Sequence, residues 1–154
     1  MSFYDKTPQE KLEYLREMLT AGDVPKALAI LQKDGCRTPE LKNALGVCLM
    51  RDGKIDQAMQ VLRELVFGKL ICIPSDTPPL YQANYATVLL CKQYNQVAIG
   101  IIRNLPTSAH PYIVQLRWCI GQWQKKLPFG RRMLSRVGFY PAAAIPLTMP
   151  PGDL

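Results

Sequence analysis

The sequence predicts an all-α fold: a solenoid of about three stacked helix pairs, then a further helix and a proline-rich tail. Three observations carry this. Thr7-Pro8, Thr38-Pro39 and Thr77-Pro78 each open an apolar-periodic stretch, at spacings of 31 and 39 residues. Threonine is a good helix N-cap, and proline loses nothing in a first helical turn. Similar starts recurring every 20–50 residues mark a stack of one repeated unit. Second, one register runs through the units. Leu45-Gly46, Leu49, the Asp52-Gly53-Lys54 turn, Ala58, Leu62 and Leu65 map 40 residues on to Tyr85-Ala86, Leu89, Ala98, Ile102 and Leu105. They map 31 residues back to Tyr14-Leu15, Met18, Ala27, Leu31 and Asp34, where Leu15 and Asp34 are misfits. Third, Ile113, Leu116, Ile120, Trp123 and Leu127 step by three and four, the stripe of an amphipathic helix.

The elements follow in order. Helices are expected over about Pro8–Thr20, where Thr7 and Glu10 have capping-box spacing, and about Val24–Asp34, stopped by Gly35. The next pair covers about Pro39–Arg51 and Ile55–Phe67. A connector with a short extended apolar run fills 68–78. A third pair covers about Pro79–Gln93 and Asn95–Leu105, ending at Pro106. A seventh helix is capped by Ser108 and stopped by Pro128. Small residues at Gly46 and Ala86, and at Ala27, Ala58 and Ala98, let helices approach closely while large residues fill the gaps. The chain then divides into a repeat domain, 1–127, and a basic and apolar C-terminal segment, 128–154.

On these residues the chain resembles the tetratricopeptide repeat family. Ala44-Leu45-Gly46, Gly53-Lys54-Ile55-Asp56-Gln57-Ala58 and Gly22-Asp23-Val24-Pro25-Lys26-Ala27 are similar to its first-helix ending and its glycine turn into the second helix. The likeness spans about residues 8–106. Gln93 stands where the turn glycine would be, the units lack the family's first-helix tryptophan, and an insertion separates the second and third. The resemblance implies a right-handed superhelix of antiparallel pairs whose first helices line a concave groove.

The repeat offsets then place four columns on that groove: Leu12/Asn43/Ala83, Arg16/Val47/Thr87, Leu19/Met50/Leu90 and Thr20/Arg51/Cys91. Family members that grip a carboxylate use Lys, Asn and Arg there. Here Arg16, Asn43, Arg51 and Asn84 are present without the lysines, so no carboxylate clamp is expected. The Leu19/Met50/Leu90 column suits an apolar peptide or amphipathic helix instead. The expected partner-binding groove is Arg16, Leu19, Asn43, Val47, Met50, Arg51, Thr87 and Leu90.

Composition narrows function. At 154 residues, 48% hydrophobic and 20% charged, the chain suits one domain with a sizeable core. There is no run of 18 apolar residues and no basic-then-apolar leader, so a cytoplasmic protein is expected. Cys36, Cys48, Cys72, Cys91 and Cys119 are scattered without a CxxC pair, and His110 is the lone histidine. Free thiols in a reducing compartment are expected, with no metal or cofactor. Phosphate-loop, nucleophile-elbow and zinc-helix motifs are missing, so no catalytic residue is assigned and no enzyme is expected.

Charge is uneven. Residues 1–76 hold 11 acidic and 11 basic side chains, whereas 77–154 hold 1 and 8. Lys125, Lys126, Arg131, Arg132 and Arg136 form a candidate basic patch. The leading expectation is a protein-interaction adaptor. A second is a small dedicated chaperone, since three-repeat members of the family cradle type III secretion subunits. A third is binding of nucleic acid or an anionic surface by the basic half, nucleic acid being the less favoured. A short helix over about Gly130–Val137 is expected to cover the Trp123 stripe. The apolar, proline-rich remainder then has three fates: docking along the chain's own groove, exchange into another subunit as a homo-oligomer, or disorder.

Overall fold

The computed structural model describes residues 3–107 and 110–154, and among these the regular elements are all helical. A short 3-10 turn, Phe3–Asp5, precedes α1 (Pro8–Thr20), α2 (Val24–Asp34), α3 (Pro39–Arg51) and α4 (Ile55–Phe67). Then come α5 (Pro79–Cys91), α6 (Asn95–Asn104), α7 (Pro111–Lys126) and α8 (Phe129–Arg136). No described helix is long and apolar enough to cross a membrane.

Side-chain caps set the starts of α1, α3 and α7. The Thr7 side chain accepts from the Glu10 N–H while the Glu10 carboxylate accepts from the Thr7 N–H, a complete capping box. Thr38 accepts from the Leu41 N–H. The third Thr-Pro pair departs from this pattern. In Thr77-Pro78-Pro79 the helix begins on the second proline, Pro78 is the cap residue, and Thr77 contributes only a carbonyl to Gln82. Helix starts at Pro8, Pro39 and Pro79 therefore follow the offsets of the side-chain register. The expected Ser108 cap lies outside the described residues. α7 starts at Pro111, with His110 Nδ1 accepting from the Tyr112 N–H. The run Leu70-Ile71-Cys72-Ile73, expected to be extended, is irregular, and Ile71 is fully exposed.

The three pairs share one turn. Asp23, Lys54 and Tyr94 donate their N–H groups to Met18, Leu49 and Leu89 at 2.9, 2.9 and 2.8 Å, closing each helix in the same way. The residues before them, Gly22, Gly53 and Gln93, have φ of 81°, 78° and 61°. Gln93 thus adopts a left-handed conformation that its side chain disfavours. Replacing Gln93 with glycine is expected to raise stability by about 1 kcal/mol, read as a higher melting temperature. A lower melting temperature would show that the turn is unstrained.

Packing follows the small residues. α1, α3, α5 and α7 neighbour one another in order, and each of α2, α4 and α6 packs against the odd helices on either side. Ala27, Ala58, Ala86 and Ala98 are completely buried. A Cβ on Gly46 would lie 2.5 Å from Leu62 Cγ, so α3 and α4 cross as closely as a glycine permits. The two misfits have structural answers. Leu15, in the position of Gly46 and Ala86, is fully buried where α1 and α2 meet less intimately. Asp34, where the other units have Leu65 and Leu105, pairs with Lys11 at 2.7 Å in a mostly buried contact.

The C-terminal segment shares the core of the repeats, since Ile145 and Leu154 join its buried cluster. α8 does not cover the Trp123 stripe as expected. It touches α7 lightly, buries only Ser135, and turns Phe129, Met133, Leu134 and Val137 outward. The stripe itself is buried: Ile113, Leu116, Ile120 and Trp123 all lie inside, next to α5 and α6. On the same helix, Cys119 contacts Thr148 and Met149 of the tail.

Candidate functional site

Residues 138–154 leave α8, cross the start of α6, and finish on the face made by α1, α3, α5 and α7. Polar side chains on α6 direct the path. Gln96 donates to the Gly138 carbonyl and accepts from the Tyr140 N–H, and Arg103 donates to the Tyr140 hydroxyl. Buried Asn95 donates to the carbonyls of Pro141 and Ala143, both at 2.7 Å, while its own carbonyl oxygen has no partner.

The last four residues are then read through their main chain. Arg51 donates to the Pro151 carbonyl at 3.2 Å and to that of Gly152 at 2.7 Å. The Gly152 N–H donates to the Tyr112 hydroxyl at 2.6 Å. Thr87 spends its hydroxyl proton on the Ala83 carbonyl, so Tyr112 donates to Thr87 and is left free to accept from Gly152. Burial pushes the Tyr112 phenol up to about 12, so it keeps this proton at neutral pH. Asn84, wholly buried, donates to the Asp153 carbonyl and accepts from the Asp153 N–H at 2.7 and 3.0 Å. Its second amide proton goes to Asn43, which itself donates to the Asp153 carbonyl at 3.5 Å. Arg16 closes the row with two bonds to the main-chain oxygen of Leu154, at 3.0 and 2.6 Å. His110 Nδ1 lies 3.7 Å from the Asp153 carboxylate but is already accepting from Tyr112, so the two are neighbours rather than an ion pair.

Burial alternates along the segment: Gly152 and Leu154 are buried, Pro151 and Asp153 half-buried. The floor beneath Gly152 is Val47 and Met50. A Cβ at Gly152 would lie 2.8 Å from Met50 Cε and 3.0 Å from Val47 Cγ2, and the residue's φ is 78°. Both constraints call for glycine.

The structure sorts the sequence-derived site residues accordingly. Arg16, Asn43 and Arg51 meet on the tail, joined by Asn84. The expectation set aside a carboxylate clamp without lysines; here the same groups donate hydrogen bonds to main-chain oxygens of the tail. Val47 and Met50 form the floor, but they are closed off, at 0% and 2% exposure, rather than open. Thr87 is buried against Tyr112, and Leu19 and Leu90 are also buried. Tyr112, Asn95 and Gln96 were missed. Asn84 and Thr87 did leave a signal, as polar residues within α5, a helix buried on nearly every side.

Away from this face, Lys125, Lys126, Arg131 and Arg136 are exposed and Arg132 is partly covered. They surround the outward apolar side chains of α8, with Phe139 beside them at 66% exposure. The chemistry of the remaining polar groups is quiet. Burial raises the Cys36 and Cys48 thiols to about 11 and about 12, leaving them protonated and unreactive at neutral pH. Among the described residues no three His, Cys, Asp or Glu side chains gather as metal ligands would.

Comparison of the chain with family models, with curated proteins and with solved structures gives no match.

Proposed function

We propose that the chain is a cytoplasmic, non-enzymatic adaptor built as a tetratricopeptide-like superhelix, whose row of odd-numbered helices binds an extended peptide segment. One observation carries the reading: residues 151–154 lie on that row with their main-chain oxygens held by four different side chains. A non-helical backbone with alternating burial favours a peptide segment over the amphipathic helix that a secretion chaperone would cradle. The test is photo-crosslinking of the full chain with an amidated peptide of residues 146–154 carrying a photoreactive group at its last position. Labels are expected on α1, α3 and α5. Labels scattered over the surface rather than gathered on these helices would overturn the reading.

A second reading has its own observation. The five basic residues around the exposed face of α8 have no acidic neighbour in sequence, and in the described residues none enters an ion pair. Phe129, Met133, Leu134 and Val137 beside them suit shallow insertion at an anionic lipid surface. Sedimentation with phosphatidylserine vesicles, but not with phosphatidylcholine vesicles, is the expected result. Equal sedimentation with both, or with neither, would remove this reading.

A further inference from the structure

The way the groove holds the tail specifies both what the groove selects and how its access is controlled. Between the Pro151 carbonyl and the Leu154 oxygen, each main-chain polar atom has a partner. All of these are groove side chains except the Leu154 N–H, which the Asp153 carboxylate accepts. Backbone recognition of this kind accepts many sequences. Selectivity must then come from the two inward positions. At Gly152 a Cβ would press on Met50 Cε at 2.8 Å and Val47 Cγ2 at 3.0 Å, and the left-handed backbone disfavours any side chain. Two residues on, Leu154 is buried to 6% exposure. An ordinary peptide with a side chain at the first of these positions would be held off the floor, out of register with Asn84 and Arg16.

We infer that residues 150–154 are an internal competitor, and that the groove's external ligand is an extended peptide carrying the same pattern: glycine, a hydrogen-bonding residue such as Asp or Asn, then a large aliphatic residue. This rests on the reading of the groove as a peptide site. The tail is tethered through α8 and the α6 contacts, so it faces the groove at an effective concentration of the millimolar order. Any ligand must displace it. The polar bonds at Asn95 and Gln96, with Ile145 buried in the core, hold residues 138–145 in place, so the segment beyond them can leave as a short flap.

The experiment compares the binding of a fluorescent peptide of residues 146–154, in amidated and free-acid forms, to the wild-type chain and to Gly152→Val. Valine at 152 collides with the floor and frees the groove without removing any of its residues. The expected result is a gain in affinity of about tenfold or more over the wild type. The same peptide with alanine for its glycine is expected to lose at least tenfold on Gly152→Val. Should that variant fail to keep its helical circular dichroism, Asp153→Pro serves instead, because it deletes the N–H that Asn84 accepts and adds nothing to the floor. Equal affinity for wild type and opened variants would overturn the competitor while leaving a peptide groove in place. Equal binding of the glycine and alanine peptides would overturn the selectivity. No binding to either opened variant would instead sink the peptide-groove reading on which both rest. A preference for the free acid over the amide would show that Arg16 reads a carboxylate; equal binding of the two forms would show that it reads a main-chain carbonyl.

Discussion

Replacing Gly46 with valine is expected to lower stability by about 3 kcal/mol, seen as a lower urea midpoint with an unchanged slope. A Cβ at this site stands 2.5 Å from Leu62 Cγ and 2.6 Å from Cδ2. Leu62 is completely buried and has nowhere to go. Either α3 and α4 separate, or leucine takes an unfavourable rotamer in a close-packed interior. Shortening the opposing side chain should relieve the clash. The double variant Gly46→Val with Leu62→Ala is therefore expected to be less damaged than the two separate losses imply, a coupling read from a double-mutant cycle. A change below about 0.5 kcal/mol for Gly46→Val would show that the crossing is not the tight contact between this pair.

Replacing Asp34 with leucine is the second large effect, and here the repeat pattern and the structure make opposite forecasts. By register, leucine at 34 restores the residue type found at 65 and 105, so pattern reasoning expects a gain. In the structure the Asp34 carboxylate accepts from Lys11 Nζ at 2.7 Å, with the two side chains at 9% and 13% exposure. Removing one partner strands a mostly buried ammonium, at a cost of about 3 kcal/mol. Lys11 also lies 5.1 Å from the Phe3 ring, a contact too weak to replace the carboxylate. Replacing both, Lys11→Met with Asp34→Leu, is expected to recover most of the loss. Thermal melting of the two variants decides the matter: a single variant as stable as the parent would mean that the pair is freely hydrated.

These two sites show how far the sequence could be read. Helix number, order and most boundaries were legible because they rest on local signals: threonine caps, prolines in first turns, glycines past helix ends. The close crossings were legible too, since small residues recur at fixed offsets. Asp34 was visible only as a misfit, because its partner lies 23 residues away in the chain. α8 was placed correctly along the chain, but its apolar face was expected to point inward. Eight residues mixing three arginines with apolar side chains do not say which face meets the protein, and only Ser135 does.

The sequence brought several of the groove residues together but not the segment that lies on them. The repeat offsets brought Arg16, Asn43 and Arg51 to one face, and periodicity could go no further. It could not show that the tail's own carbonyls would be the groups held there, because that contact spans 138 residues between Arg16 and Leu154. Nor could it show that Gly152 lies on Val47 and Met50 with a left-handed backbone that favours glycine. Glycine after two prolines reads locally as a turn, and its fit to the floor exists only in three dimensions.

The central claim is that residues 150–154 occupy the chain's own groove. Nuclear Overhauser contacts from the Gly152 Hα protons to the methyl groups of Val47 and Met50, recorded on the full chain in dilute solution, test it most directly. The expected result is strong contacts to both methyl sets, independent of protein concentration. Random-coil shifts for residues 145–154 without these contacts, or contacts that appear only between differently labelled copies, would contradict it.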